Sequence, residues 1–255
     1  MTDAVVVGGL GIIGAATRKL FKIKDYYDLK GVSDIFENLA KRKYVFLCLP
    51  TLPDRGGYDL DVIEEMIMRF EEYHLPDRVY ILRSTVLPGT ADSLMERFGI
   101  KIVSNPEFLT MRTIDEDTFN PDIVVCGSKI EGLAIDLANL YREHVKNNPK
   151  FYITYNKEAE MIKLAINVFY TTKIVFANHI YDICEKEEIS YDVVREAMYH
   201  RKWIGKNHLQ TIHDGKRGAG GKCLRKDLSA FNLKYELPFF EMVERINDRL
   251  LGIEL

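Results

Sequence analysis

The chain has 255 residues, 47% hydrophobic and 29% charged, with a formal net charge of −3. That balance excludes a disordered segment and leaves enough chain to bury a core without staples. The acidic sum excludes nucleic-acid binding by bulk charge, and no apolar run approaches the ~18 residues of a membrane helix.

Met1 leads within a few residues into Ala4–Gly8, a strand-like run. It has no basic flank or cleavage site, so no export signal is expected and the protein is expected in the cytoplasm. Ile12–Lys22 reads as a helix and Asp25–Asp28 as a short strand. Tyr44–Leu49 reads as a buried strand and Leu60–Glu72 as an amphipathic helix. Val79–Arg83 is a strand, followed by a helix over Thr90–Phe98. Lys101–Ser104, Ile123–Cys126 and Phe151–Ile153 are further strands, the last two separated by helical pattern over Gly132–Glu143. Strands alternating with helices predict an α/β fold, a doubly wound parallel sheet of Rossmann type. Beyond Tyr155 the pattern changes. Glu158–Ile189 is one long helical stretch, and Asp192–His200, Asp227–Lys234 and Phe239–Leu251 are shorter ones. The sequence therefore predicts an NAD-binding domain over 1–155 and an all-helical central or dimerisation domain over 156–255.

Gly9-Leu10-Gly11-Ile12-Ile13-Gly14 spells G-x-G-x-x-G between a predicted strand and a predicted helix, the context that motif needs. Gly9 would make the tight turn, Gly11 would let backbone approach a pyrophosphate, and Gly14 would let helix and strand pack closely. The N–H groups of Ile12 and Ile13 would then face the phosphates. Asp28 lies 19 residues after Gly9, where an acid binds ribose hydroxyls. Position, context and acid favour a dinucleotide site over a plain glycine turn, and NAD over NADP. Lys30 stands where a base would meet a 2′-phosphate.

The four cysteines, at 48, 126, 184 and 223, are widely spaced with no CxxC pair. Reduced thiols are expected, without a disulfide framework or structural zinc. Cys48 and Cys126 fall within predicted strands and read as inert; Cys184 reads as packed. His208 and His213 have no third ligand nearby, so no metal site is expected. Cys223 differs. It sits in Asp214–Asp227, a run of Gly, Lys and Arg, where Lys222, Arg225 and Lys226 would favour a thiolate. Asp227 follows four residues later, on the same face if a helix begins at Cys223. Taken alone, these residue types equally describe a solvated basic loop with a spare thiol. Lys163 and Asn167 are also four apart, and a Lys and an Asn converging on one oxygen can stabilise negative charge. The plainer expectation is an exposed face with a Glu160–Lys163 ion pair.

Six stretches in order carry a resemblance. They are Gly9–Gly14; Phe46–Thr51 with Gly57 and Asp59-Leu60; Ser84–Thr90; Asn105–Leu109; Ala159-Glu160 with Lys163 and Asn167; and Asp214–Asp227. Together they resemble the UDP-glucose/GDP-mannose dehydrogenases, closest to the UDP-glucose 6-dehydrogenase branch. The resemblance implies a four-electron oxidation, in which two NAD convert the C6 alcohol of a nucleotide sugar to a carboxylate. It implies Cys223 as the nucleophile, Lys163 and Asn167 as holders of the oxyanion, and Glu107 as the general base for thioester hydrolysis. Asp227 and Thr85 would position water and protons. NAD would also meet Pro50, Thr51, Ser84 and Thr85 at strand ends. Phe108, Leu109, Lys163, Asn167, Gly220 and Gly221 would contact a UDP-glucose-type substrate. The long helix 158–189 implies a homodimer.

The sequence departs from the pattern in named places. Met111 stands where the family usually carries Glu, Ala219 where it carries an aromatic, Arg225 where it carries proline, and Trp203 where it carries arginine. The family normally continues past a helix like Phe239–Leu251 into a second Rossmann-like domain, the UDP-binding one, which this sequence is expected to lack; another chain could supply it. These departures leave open a truncated or repurposed NAD-binding or assembly subunit without catalysis. A different substrate on a hydroxyacid-type dehydrogenase architecture is a third reading, though such enzymes need no cysteine in this loop.

Overall fold

The computed structural model describes residues 3–54, 57–213, 215–221 and 223–253. The chain divides into two compact units. The first comprises Met1–Leu52 and Tyr58–Lys163; the second comprises Pro53–Gly57 and Leu164–Leu255.

In chain order the first unit contains β1 (Ala4–Val7), α1 (Ile12–Phe21), β2 (Asp25–Asp28), β3 (Gly31–Val32), α2 (Phe36–Leu39) and β4 (Tyr44–Leu47). Short strands β5 (Pro53–Asp54) and β6 (Gly57–Tyr58) follow β4 along the chain. Then come α3 (Asp61–Glu71), β7 (Val79–Leu82), α4 (Thr90–Phe98), β8 (Lys101–Ser104), α5 (Ile114–Phe119), β9 (Ile123–Gly127), α6 (Leu133–His144) and β10 (Lys150–Thr154). Eight strands form one sheet in the order β10-β9-β8-β7-β4-β1-β2-β3. Every residue of β1 and β7 is buried. Both sheet faces are covered, so these strands read as unbroken apolar runs rather than alternating ones. One face packs Val5, Val7, Val45 and Leu47 against Ile63, Ile67 and Phe70 of α3 and Leu94 of α4. The other packs Ala4, Val6, Phe46, Ile81 and Val103 against Leu20 and Phe21 of α1 and Leu137 and Tyr141 of α6.

The sheet is parallel-dominated rather than wholly parallel. β8 and β9 run antiparallel, meeting at Ser104 and Gly127, and β2 turns back into β3 as an antiparallel pair. The link between β8 and β9, residues 105–122, contains only the short helix α5. Gly127 also lets the following chain approach. A Cβ there would meet the Tyr155 carbonyl oxygen at 2.6 Å and the Ala159 Cβ at 2.7 Å.

β1 lies between β2 and β4. The chain leaves β1 for one side, then returns to the other, so the switch point falls at β1/β4. β1, β4, β7 and β8 are mutually parallel. The segments after Val7, Leu47, Leu82 and Ser104 therefore leave the sheet at the same edge.

α7 (Asn156–Lys186) is a single helix that begins in the first unit and continues through the second. The second unit adds α8 (Tyr191–Tyr199), strands β11 (Ile212–His213) and β12 (Lys216–Arg217), α9 (Leu224–Tyr235) and α10 (Pro238–Leu250). The expected all-helical unit thus contains a small antiparallel hairpin. Arg217 anchors that hairpin to α7, donating to Asn178 Oδ1 at 2.8 Å and pairing with Asp182 at 2.7 Å. The Tyr191 hydroxyl donates to the Leu209 carbonyl at 2.6 Å. Phe231 of α9 packs edge-on against Phe240 of α10 at 5.1 Å. No helix among the described residues is long and apolar enough to cross a membrane.

Candidate functional site

The glycine loop follows β1 directly. The positive φ of the turn falls on Gly8, at +76°, one residue before the predicted Gly9. A Cβ at Gly8 would meet the Cys48 carbonyl oxygen at 2.3 Å, so both backbone and space demand glycine there. A Cβ at Gly9 would meet Tyr26 Cβ at 2.5 Å, and one at Gly14 the Gly8 carbonyl oxygen at 2.1 Å. Gly14 is what brings α1 against the strand end. Gly11 is the N-cap of α1 and carries no side-chain cap. The exposed Gly11 and Ile12, with half-buried Ile13, thus present the first N–H groups of the helix. Asp28 ends β2 beside the loop, and Leu10 N donates to its Oδ2 at 3.0 Å. Lys30 N donates to its Oδ1 at 3.1 Å, while the Lys30 side chain is exposed. A glycine cradle, uncapped helix N–H groups and a carboxylate at the next strand end fit a pyrophosphate and a ribose diol.

The turns after β4 and β7 are tied together. Ser84 Oγ donates to the Leu49 carbonyl at 2.8 Å and accepts from Leu49 N at 2.9 Å. Thr51 Oγ1 donates to the Thr85 carbonyl at 2.7 Å. Pro50, Thr51, Ser84 and Thr85 therefore form one local assembly at the sheet edge. Cys48 lies just past β4, not within it, because the strand ends at Leu47. Desolvation pushes its thiol up to about 11, and burial pushes that of Cys126 up to about 12. Neither is a thiolate near neutrality. Cys184 is buried and Cys223 is exposed.

Glu107 follows β8. Lys163 Nζ donates to the Glu107 carbonyl at 2.7 Å and to Oε1 at 3.2 Å, and Leu109 N donates to Oε2 at 2.7 Å. Lys163 also lies 5.3 Å from the centroid of the Phe108 ring. Glu107, Phe108, Leu109 and Lys163 are thus gathered in the first unit. Asn105 holds this segment from behind, donating to the Val125 carbonyl at 2.8 Å and accepting from Arg83 and Tyr141. Arg83 and Tyr141 carry no sequence motif, and sequence reasoning passed over them.

The expected surface pair of Glu160 and Lys163 is not what the fold makes. Both side chains are buried and each takes another partner. Glu160 accepts from Gly89 N at 2.6 Å, Ala91 N at 2.9 Å and Ser104 Oγ at 3.3 Å. Gly89 is the N-cap of α4, at φ +97°, and no side chain of its own caps that helix. A carboxylate from α7 does so instead. Burial pushes Glu160 up to about 7, against the opposing pull of those N–H donors.

In the second unit, Cys223 is the N-cap of α9, so the helix begins where the spacing required. Asp227 N donates to the Cys223 carbonyl at 2.9 Å. Asn167 Nδ2 donates to Asp227 Oδ2 at 2.6 Å, and Lys226 pairs with Oδ1 at 2.7 Å. Asp227 is 0% exposed. Gly220 and Gly221 are exposed just upstream, with Gly221 at φ +81° and open space around its Cα. Lys222 and Asp214 lie outside the described residues. Met111 and Trp203 are 68% and 82% exposed.

Residues 16–145 match the NAD binding domain of the UDP-glucose/GDP-mannose dehydrogenase family, and residues 157–249 match its central domain. The chain is similar to UDP-glucose 6-dehydrogenase YwqF of Bacillus subtilis (strain 168), at 32% identity over 226 residues, covering 83% of this chain and 50% of that protein. It is also similar to a UDP-glucose 6-dehydrogenase of Rickettsia typhi, at 30% identity over 182 residues, 69% of this chain and 41% of that one. Among solved structures, a UDP-glucose dehydrogenase from the hyperthermophilic archaeon Pyrobaculum islandicum aligns with a TM-score of 0.83 and 25% identity, over 98% of this chain and 68% of that one. The chain spans about half the length of the curated relatives it matches.

Proposed function

Because the chain belongs to the UDP-glucose/GDP-mannose dehydrogenase family, whose NAD-binding and central domains it carries, we propose that it oxidises the C6 alcohol of a nucleotide sugar of the UDP-glucose type to the carboxylate. The observation that carries this reading is Cys223, an exposed thiol at the N-terminus of α9, followed one turn later by a buried Asp227 held by Asn167.

The glycine loop and Asp28 would hold NAD, with Lys30, Pro50, Thr51, Ser84 and Thr85 nearby in sequence or at neighbouring strand ends. When bound, NAD accepts the hydride lost at each of two oxidations. Thr85 and Asp227 would position water and take part in moving the alcohol proton. Cys223 Sγ would add to the C6 aldehyde carbon, forming a thiohemiacetal whose oxygen carries the developing charge. Lys163 and Asn167, one turn apart on α7, would donate to that oxygen. After the second oxidation the sulfur holds a thioester, and Glu107 would take a proton from the water that attacks it. Hydrolysis releases the carboxylate and returns the thiol. Phe108, Leu109, Gly220 and Gly221 would line the sugar site.

The exposed stripe Phe169, Phe176 and Ile183 on α7, 59%, 51% and 53% exposed at seven-residue spacing, supports a homodimer through this helix. This reading needs a reduced Cys223 thiol, which a reducing compartment such as the cytoplasm would maintain. The second reading, a non-catalytic NAD-binding or assembly subunit completed by another chain, is favoured by exposed Met111 and Trp203 where the family carries charged side chains.

NADH formation with UDP-glucose in excess, run beside Cys223→Ala, tests the proposal. Turnover in the parent that the variant abolishes is expected. NAD binding by calorimetry with no turnover would overturn catalysis by this chain and leave the second reading.

A further inference from the structure

Two consecutive residues of α10 hold the cysteine loop on both sides of Cys223. Upstream, Asn247 is fully buried and its side-chain amide pairs with both backbone groups of Ala219. Ala219 N donates to Asn247 Oδ1 at 2.7 Å, and Asn247 Nδ2 donates to the Ala219 carbonyl at 3.2 Å. A side-chain amide pairing in this way replaces the neighbouring strand that an extended loop lacks. Downstream, Arg225 donates to Asp248 from Nε to Oδ1 at 2.7 Å and from Nη2 to Oδ2 at 3.0 Å. This is a planar two-point contact, which fixes direction as well as distance. Gly218, immediately before Ala219 and at φ +83°, is packed against the end of α10. A Cβ there would meet Leu250 at 3.1 Å and Leu251 at 3.2 Å. The loop is glycine-rich and would otherwise be free to take many conformations.

We propose that Asn247 and Asp248 form a clamp that positions Cys223 at the first turn of α9. They are positioning residues, acting on the thiol through Ala219 and Arg225. The inference rests on the reading of Cys223 as the reacting nucleophile. Without the clamp, Gly218–Gly221 is released upstream and the first turn of α9 frays downstream. The sulfur then loses the fixed place at the start of α9 that the N-cap position gives it.

The experiment measures Cys223 alkylation by iodoacetamide, peptide by peptide, together with amide exchange of segment 215–221. The full chain is used, with Asn247→Ala, Asp248→Asn and Arg225→Lys. Arg225 is 42% exposed in its side chain, so Arg225→Lys keeps the charge and folds even if a buried variant does not. The expected result is a fall of about tenfold in alkylation rate and faster exchange of 215–221, with NAD affinity unchanged. In turnover, kcat falls while KM for NAD holds, and Asp248→Glu recovers part of the loss. Alkylation and exchange at parent rates in the folded variants would overturn the clamp. A parent Cys223 that alkylates no faster than the same peptide in solution would instead overturn the nucleophile reading. In that case faster exchange of 215–221 in the variants would still support the clamp on the loop, and unchanged exchange would overturn it.

Discussion

Asn167 on α7 donates to Asp227 on α9 at 2.6 Å, joining residues 60 apart in sequence inside a fully buried contact. The carboxylate also pairs with its neighbour Lys226. A buried charge is tolerated only with such partners. Asn167→Ala is expected to lower stability by about 2 kcal/mol, the worth of a hydrogen bond to a charged group. Asn167→Asp is expected to cost more, because it sets a second carboxylate against the first. Urea unfolding of the two variants checks this; an Asn167→Asp protein as stable as the parent would sink it.

Glu160 makes stability depend on pH. Its carboxyl has an ordinary value of 4.5 in the unfolded chain and about 7 in the fold. Between those values the folded protein keeps a proton that the unfolded chain has released, so stability falls as pH rises through that window. The loss by neutral pH is about 3 kcal/mol. Asp92 adds to the upward shift, while Gly89, Ala91 and Ser104 oppose it. Glu160→Gln should flatten the slope between pH 4.5 and 7 in thermal unfolding. A slope identical to the parent's would refute the assignment.

Lys163 and Glu107 are a nearly buried pair, their side chains 8% and 11% exposed. Lys163→Met leaves Glu107 with the Leu109 N–H on Oε2 and is expected to cost about 3 kcal/mol. Lys163→Met combined with Glu107→Gln should recover a large part of that cost, since the stranded charge is gone. A double-mutant cycle in urea measures the coupling. Additive losses would show that the pair does not interact. Turnover should be absent in both, which separates the structural cost from the chemical one.

Phe176 is at the centre of the exposed α7 stripe. Phe176→Glu is expected to shift the protein from dimer to monomer by light scattering at micromolar concentration, with little change in its helical content. A parent that is already monomeric would remove the interface reading.

The G-x-G-x-x-G pattern and the acid at 28 were legible because each depends on neighbours within one βαβ turn. The core strands were legible for a related reason. Burial on both faces leaves an unbroken apolar run such as Ala4–Val7, whatever lies beside it. Helices α4 and α9 were legible from pattern, yet α9 starts at Leu224 rather than Asp227, because its first turn is polar and carries no apolar periodicity.

What the sequence by itself determined was the kind of fold, the order of its elements and the residue types available for chemistry. Only the tertiary structure decided the reversal of β9 against β8, the move of the tight turn to Gly8, and the ends of β4. It alone replaced an expected Glu160–Lys163 pair by two buried contacts, Glu160 on the start of α4 and Lys163 on Glu107. It alone brought Asn247 to Ala219 and Asp248 to Arg225. The reason is the range of the interactions. Propensity and periodicity act over a few residues, whereas the partner of a buried polar group is chosen by whichever backbone or charge the packed core brings within hydrogen-bond distance.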